Sequence, residues 1–236
     1  MTQPLPEDVT ADRWLSDLLG RPAWKVDART ADLAAVVDRT GSGFFFTRVP
    51  AGEVSTLHRF ESAGFHVVDV TITLEARAAE PLGAVPHLGI RLARPADCEA
   101  ATTLAARSFQ WSRLHLDPAV PTAVADRSRA EWVGNFFRGA RGDALVVAEQ
   151  GGGLAAFLLL LGPADGILTI DLIAVDRDRR RHGLGAACIA FAAARFAGVE
   201  TLRVATQAAN VASLRFYERL GFCTVSSQYV LHLHCG

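Results

Sequence analysis

The segment Gly166–Phe191, GILTIDLIAVDRDRRRHGLGAACIAF, constrains the fold more than any other part of the chain. Its opening residues are apolar enough for a central strand. A short charged loop follows, and an alanine-rich helix begins at about Gly183. The first amides of a helix have no intrahelical acceptor, and the dipole adds partial positive charge there. Such a junction can hold a phosphate. Gly183 and Gly185 take side chains out of a ligand's way, and Arg180, Arg181 and His182 offer further donors. A GxxxxGK[ST] loop is absent, and a GxGxxG dinucleotide fingerprint would lack its third glycine. What remains is R-x-x-G-x-G, carried by Arg180, Gly183 and Gly185. Arg177 and Arg179 alternate with Asp176 and Asp178 and read as a solvated charge run.

Around this junction the periodicity and turn residues give a second unit of order β-α-α-β-β-β-α-β-α-β, starting at Ile90. Before it, helices are expected over Trp14–Leu19, over TADLAAVVDRT and over GEVSTLHRFESAG, with strands at AWKV, GFFFTRV and FHVVDVTITLEA. AAEPLGAVPHLG, with its prolines and glycines, reads as the linker. The expected division is a small α/β unit over 1–86 and a larger α/β unit over 87–236. One internal echo stands out. LHRFESAGF, Leu57 to Phe65, parallels LRFYERLGF, Leu214 to Phe222, and places Phe60 where Tyr217 stands. The echo suggests that the first unit is a reduced copy of part of the second.

Composition excludes several classes. Half of the 236 residues are hydrophobic and the formal net charge is −1, so neither disorder nor broad electrostatic binding of nucleic acid is expected. No apolar run is long enough for a membrane span. MTQPLPEDVT has neither the basic nor the apolar region of a signal peptide, which points to the cytoplasm. The four cysteines form no CxxC pair, and none lies near a histidine at metal-ligand spacing, so reduced thiols and no metal are expected. His232 and His234 share a strand face, which reads as a polar outer face rather than a metal pair.

With Arg180, Gly183 and Gly185 after a strand, and Asn210 followed by Tyr217, Gly221 and Phe222 on a later helix, the chain from about Leu88 onward resembles the GCN5-related N-acetyltransferases. The resemblance implies a mixed, mostly antiparallel α/β (α+β) sheet flanked by helices. It also implies acetyl-CoA as co-substrate, with no metal. The loop Arg180, Arg181, His182, Gly183, Leu184, Gly185 and Ala186 would hold its pyrophosphate. Ile173, Ala174 and Val175, on a strand that splays from its neighbour, would bond the pantetheine through their backbone, joined by Asn210, which also reads as a helix N-cap.

The same resemblance makes Tyr217 the general acid for the leaving thiolate, since a phenol with an ordinary pKa of about 10 is protonated at neutral pH. Asp171 would be the base, as a carboxylate at this place is in some relatives. LRVATQAANVASLRFYERLG, with AARSFQWSR and the extra N-terminal unit, is similar to the dTDP-fucosamine acetyltransferases. That implies a dTDP- or UDP-linked amino sugar as acceptor, with Trp111, Arg113 and His115 bordering it, and a homodimer as the usual expectation. The alternatives are an acetyltransferase of another small amine (an antibiotic, a polyamine or an amino acid) and a non-catalytic acyl-CoA-binding module.

Overall fold

The computed structural model describes residues 8–29, 33, 36, 37, 41–78 and 89–236. Its elements are β1 (Val9–Ala11), α1 (Arg13–Leu19), β2 (Ala23–Val26), β3 (Gly43–Pro50), α2 (Val54–Ser62), β4 (His66–Arg77) and β5 (Ile90–Leu92). They continue with α3 (Cys98–Ser108), α4 (Thr122–Phe137), β6 (Ala144–Gln150), β7 (Gly153–Ala164) and β8 (Ile167–Val175). The last are α5 (Leu184–Arg195), β9 (Thr201–Gln207), α6 (Val211–Arg219) and β10 (Cys223–Cys235). Of the helix expected over TADLAAVVDRT, Leu33, Val36 and Val37 are helical, and the rest lies outside the described residues, as does most of the linker.

All the strands among the described residues join one sheet of ten, in the order β1-β2-β3-β10-β4-β9-β8-β7-β6-β5. Two neighbouring pairs, β2–β3 and β8–β9, are parallel, and the other pairs are antiparallel. This is the mixed, mostly antiparallel sheet that the sequence implied. The central strands are apolar on both faces, as a strand covered on both sides must be. Phe44 and Phe46 pack with Leu15, Leu18, Leu114 and Val120, while Phe45 on the opposite face packs with Phe60 and Phe65. In the other half, α5 and α6 cover one face through Ile189 and Tyr217, joined by Phe222 from the turn after α6. Helices α3 and α4 cover the other through Leu104 and Val133.

The order is symmetric about the β10–β4 pair. Outward from it run β3, β2 and β1 on one side and β9, β8 and β7 on the other. The echo in the sequence is this symmetry. Helix α2 leads into β4 as α6 leads into β10, and the two turns are built alike. The Phe65 amide donates to the Phe60 carbonyl, and the Phe222 amide to that of Tyr217, both at 3.0 Å. Gly64 and Gly221 hold φ of 88° and 83° at the matching places. The last strand of each half lies beside the other half, so β4 pairs with β9 and β10 pairs with β3.

Candidate active site

The cavity of interest opens where two strands part. The parallel ladder of β8 with β9 runs from Ile167–Thr201 to Ile170–Val204 and stops, although β8 continues to Val175 and β9 to Gln207. The cause lies one strand away. Against β7, Ile170 pairs with Leu160 but Leu172 pairs with Leu159, so Asp171 is the extra residue of a β-bulge. A bulge bends its strand and sharpens its twist, which carries Leu172–Val175 away from β9. The gap is walled by Asp171, Ile173, Thr206, Asn210 and Tyr217, and by Trp111 and Arg129 from the α3–α4 side.

Tyr217 is 2% exposed. Phe216 and Phe222 flank its ring, with centroids 5.1 and 5.3 Å away. Burial raises the phenol well above its ordinary pKa, so it stays protonated across the neutral range. Asn210 is the N-cap of α6. Its carboxamide oxygen accepts from the Ser213 amide at 3.2 Å, and its NH₂ group is left as a donor beside the cavity.

Asp171 is held by three donors. Arg141 grips it bidentately at 2.8 and 2.6 Å, and the Trp132 indole donates to it at 2.7 Å. The Arg141 guanidinium lies 4.2 Å above the Trp132 ring. Neither Trp132 nor Arg141 is legible as a site residue in the sequence, because they come from α4 and the loop after it and reach Asp171 only through the packing of α4 on the sheet. Arg129 was missed for the same reason. The one signal is its spacing from Trp132, three residues along the same helical face.

The three acceptor-loop residues separate. Trp111 is 39% exposed and lines the cavity. His115 instead latches its loop to α4, bonding Ser112 at 2.6 Å and Asp126 at 3.0 Å. Arg113 lies 4.1 Å over the Phe46 ring and donates to His232 Nε2 at 3.0 Å. Burial, and then the charge of Arg48, lower its pKa.

Arg113 belongs to a buried network, and here an expectation is corrected. His232, expected on an outer face, is 1% exposed, because the α3–α4 loop packs over this end of β10. Asp117 Oδ2 bonds His232 Nδ1 at 2.6 Å and His234 Nε2 at 2.7 Å, while His234 Nδ1 meets Arg21. Two histidines and a carboxylate this close raise the question of a metal. Arginine only donates, so the nitrogens facing Arg113 and Arg21 must accept, and the other two carry the protons given to Asp117. A metal-bound histidine needs the reverse arrangement, its lone pair on the ion and its N–H toward an acceptor. The trio therefore fits a proton-bearing network and not a cation. Burial favours a raised Asp117 pKa, but the bonds from His232, His234 and the Ala119 amide outweigh it and hold the carboxyl far below its usual range.

Beyond the gap, Arg180–Gly183 are exposed and α5 starts without a side-chain cap. Gly183 has φ of 77°, a left-handed conformation that turns the chain sharply into the helix and that suits glycine. The amides that follow, at Leu184, Gly185 and Ala186, are the unpartnered first donors of the helix. Arg180 Nε donates to the Val175 carbonyl at 3.1 Å, tying the loop to the end of β8. Gly185 differs from the sequence reading. A Cβ there would lie 3.2 Å from the Phe216 ring and 3.6 Å from Ile173 Cδ1, so its missing side chain lets α6 pack on α5 rather than opening a path for a ligand.

Splay, glycine-started helix and buried phenol share one end of the sheet, the arrangement expected of an N-acetyltransferase fold. Residues 101–222 match the acetyltransferase (GNAT) family, and the match spans every element that walls the cavity. The chain belongs to this family, whose acetyltransferases use acetyl-CoA. The spore coat polysaccharide biosynthesis protein SpsD of Bacillus subtilis (strain 168) is 28% identical over 196 residues, 82% of this chain and 67% of that protein. The dTDP-fucosamine acetyltransferase of Escherichia coli O6:H1 is 29% identical over 192 residues, 78% of this chain and 79% of that protein. A crystal structure of a GCN5-related N-acetyltransferase from Sphaerobacter thermophilus superposes with a TM-score of 0.64 at 17% identity, covering 96% of this chain and 76% of that one. At that identity the likeness speaks for the fold alone. Among the described residues no helix is long and apolar enough to cross a membrane.

Proposed function

We propose that this chain transfers an acetyl group from acetyl-CoA to the amine of a nucleotide-linked amino sugar by direct attack, with Tyr217 as the general acid. One observation carries the reading. Tyr217, whose phenol burial keeps protonated, lines the gap between β8 and β9 together with Ile173 and Asn210. The sugar-nucleotide acceptor is supported by what the two curated relatives are named for, and by Trp111, which offers an exposed aromatic face to a sugar or base at the cavity.

Each element has a task in this scheme. The start of α5, with Gly183, Leu184, Gly185 and Ala186, faces the pyrophosphate with unpartnered amides. Ile173, Ala174 and Val175 are paired with β7 on one edge and lack a strand on the other, where an amide-bearing chain can add. The thioester is the electrophile. As its C–S bond breaks, the Tyr217 hydroxyl gives its proton to the departing thiolate. Both Asp171 oxygens already accept from Arg141 and Trp132. We therefore assign Asp171 to holding the bulge and Arg141 in place, and the amine proton to water in the gap. We read the 1–86 unit as a scaffold that supplies β3 and β4 to the sheet behind the site.

The test is CoA release from acetyl-CoA with a panel of dTDP- and UDP-linked amino sugars against polyamines and aminoglycosides. Turnover should concentrate in the sugar nucleotides, and Tyr217→Phe should lower kcat at least about 100-fold, the usual scale of general acid–base catalysis, with acetyl-CoA affinity nearly kept. Equal turnover of Tyr217→Phe and wild type would remove the phenol from the mechanism. Preference for polyamines would remove the sugar-nucleotide acceptor.

A further inference from the structure

Arg129 is the unexplained charge of the cavity. It projects from α4 into the cavity wall, and its guanidinium lies 5.5 Å from the centroid of Phe109 and 5.4 Å from that of Trp132. The side chain keeps some accessible surface, but its Nε has none and no hydrogen-bond partner. The nearest carboxylate that influences it is Asp171, whose oxygens are taken by Arg141 and Trp132. Arg129, Arg141 and Asp171 together leave one positive charge over. Burial lowers the Arg129 pKa to about 10, so the group is still a cation at neutral pH. Proteins rarely keep a buried charge without a partner, because desolvation is then uncompensated. Among the described residues no carboxylate is left to pair with it.

Which molecule brings that partner follows from the two faces of the sheet. Helix α5, whose start is the phosphate cradle, packs on one face with α6. Helix α4 packs on the other with α3. The two helices lie on opposite faces, so phosphates held at the start of α5 would be across the sheet from Arg129. An anion at Arg129 has to come with the other substrate. Phe109 and Trp132 lie within cation–π range of the guanidinium, and such ring contacts leave its planar donor edge for an in-plane, two-pronged bond to an oxyanion.

We infer that Arg129 is the subsite for an anionic group, a phosphate or a carboxylate, borne by the amine acceptor itself. This rests on the acetyltransferase reading and narrows it. The acceptor must combine an amine and an anion in one molecule, as a sugar nucleotide or an amino acid does, and a polyamine or an aminoglycoside does not.

The experiment is calorimetric titration of the full chain, first saturated with CoA so that the cradle at α5 is filled. The probes are inorganic pyrophosphate, dTDP and succinate, each added to wild type and to Arg129→Gln. Wild type should bind a phosphate probe or succinate, the stronger probe naming the source of the anion, and Arg129→Gln should weaken that binding at least tenfold. In CoA-release assays the same variant should lose at least ten times more kcat/KM with an anionic amine, galactosamine 1-phosphate, than with galactosamine. If Arg129→Gln does not fold, Arg129→Lys, which keeps the charge and loses the planar fork, should weaken the titration several-fold. Equal binding by wild type and variant overturns the inference, and so does an equal loss of kcat with both amines, which would mean that Arg129 stabilises the reacting carbonyl instead. Failure of the parent reading looks different. CoA would not bind, and no amine on the panel would release it.

Discussion

His232 concentrates the chemistry of the buried network in one side chain. Burial is the largest influence on it and pulls its pKa from the ordinary 6.5 down to about 4, against the bond to Asp117 and with help from the charge of Arg113. The folded state thus holds the ring neutral where the unfolded chain would protonate it. Stability from this group is complete above pH 6.5 and is lost as the pH falls toward 4, because over that window the unfolded state binds more protons. The shift corresponds to roughly 3 kcal/mol. Urea unfolding at pH 7.5 and pH 5 should show wild type losing about 2 kcal/mol more than His232→Gln over that interval. Equal losses would mean that another group carries the acid sensitivity. The sequence showed that His232 and His234 share a face, since strand period alone dictates it. Which face is covered was decided by residues more than a hundred positions away, where Asp117 and Arg113 pack over β10.

At the scale of elements, the site depends on how α6 lies on α5. Gly185 is the contact point, where a Cβ would lie a tight 3.2 Å from the Phe216 ring. Gly185→Val should push α6 outward, costing about 1–3 kcal/mol as overpacking does. It should also disturb Tyr217, the next residue along, so that turnover falls further than acetyl-CoA binding. Near-normal stability and turnover in Gly185→Val would show that the contact gives way easily. Helix starts and stops were legible here, because Asn210, Gly64 and Gly221 punctuate the chain locally. The splay was not legible from residue pattern. It comes from the bulge at Asp171, a mismatch between β7 and β8 that exists only once the strands are paired.

The whole molecule is one sheet whose two halves mirror each other in strand order, and the proposed machinery lies in one of them. In the N-terminal half Phe60 takes the place of Tyr217, and the segment after β2, DARTADL, has no glycine where RRHGLG stands after β8. The matching interior is filled by Val26, Leu33, Val36, Phe45 and Phe60. Titration with acetyl-CoA should give one site per chain. A stoichiometry of two would mean that the β2–β3 end also binds it.

The sequence by itself determined the order of the elements, the glycine-started helix after β8, the family resemblance and the pairing of Asn210 with Tyr217, all of which rest on local spacing. It also carried the echo between the two halves. Tertiary structure decided which charged residues meet the cavity. Arg113 and His115 are near Trp111 in sequence yet end in bonds to His232 and to Asp126. Arg129, unremarkable in α4, arrives at the gap with its Nε unbonded. The physical reason is one and the same. Helix and turn propensities act over a few residues, whereas the burial and pairing of a charge depend on every element packed around it.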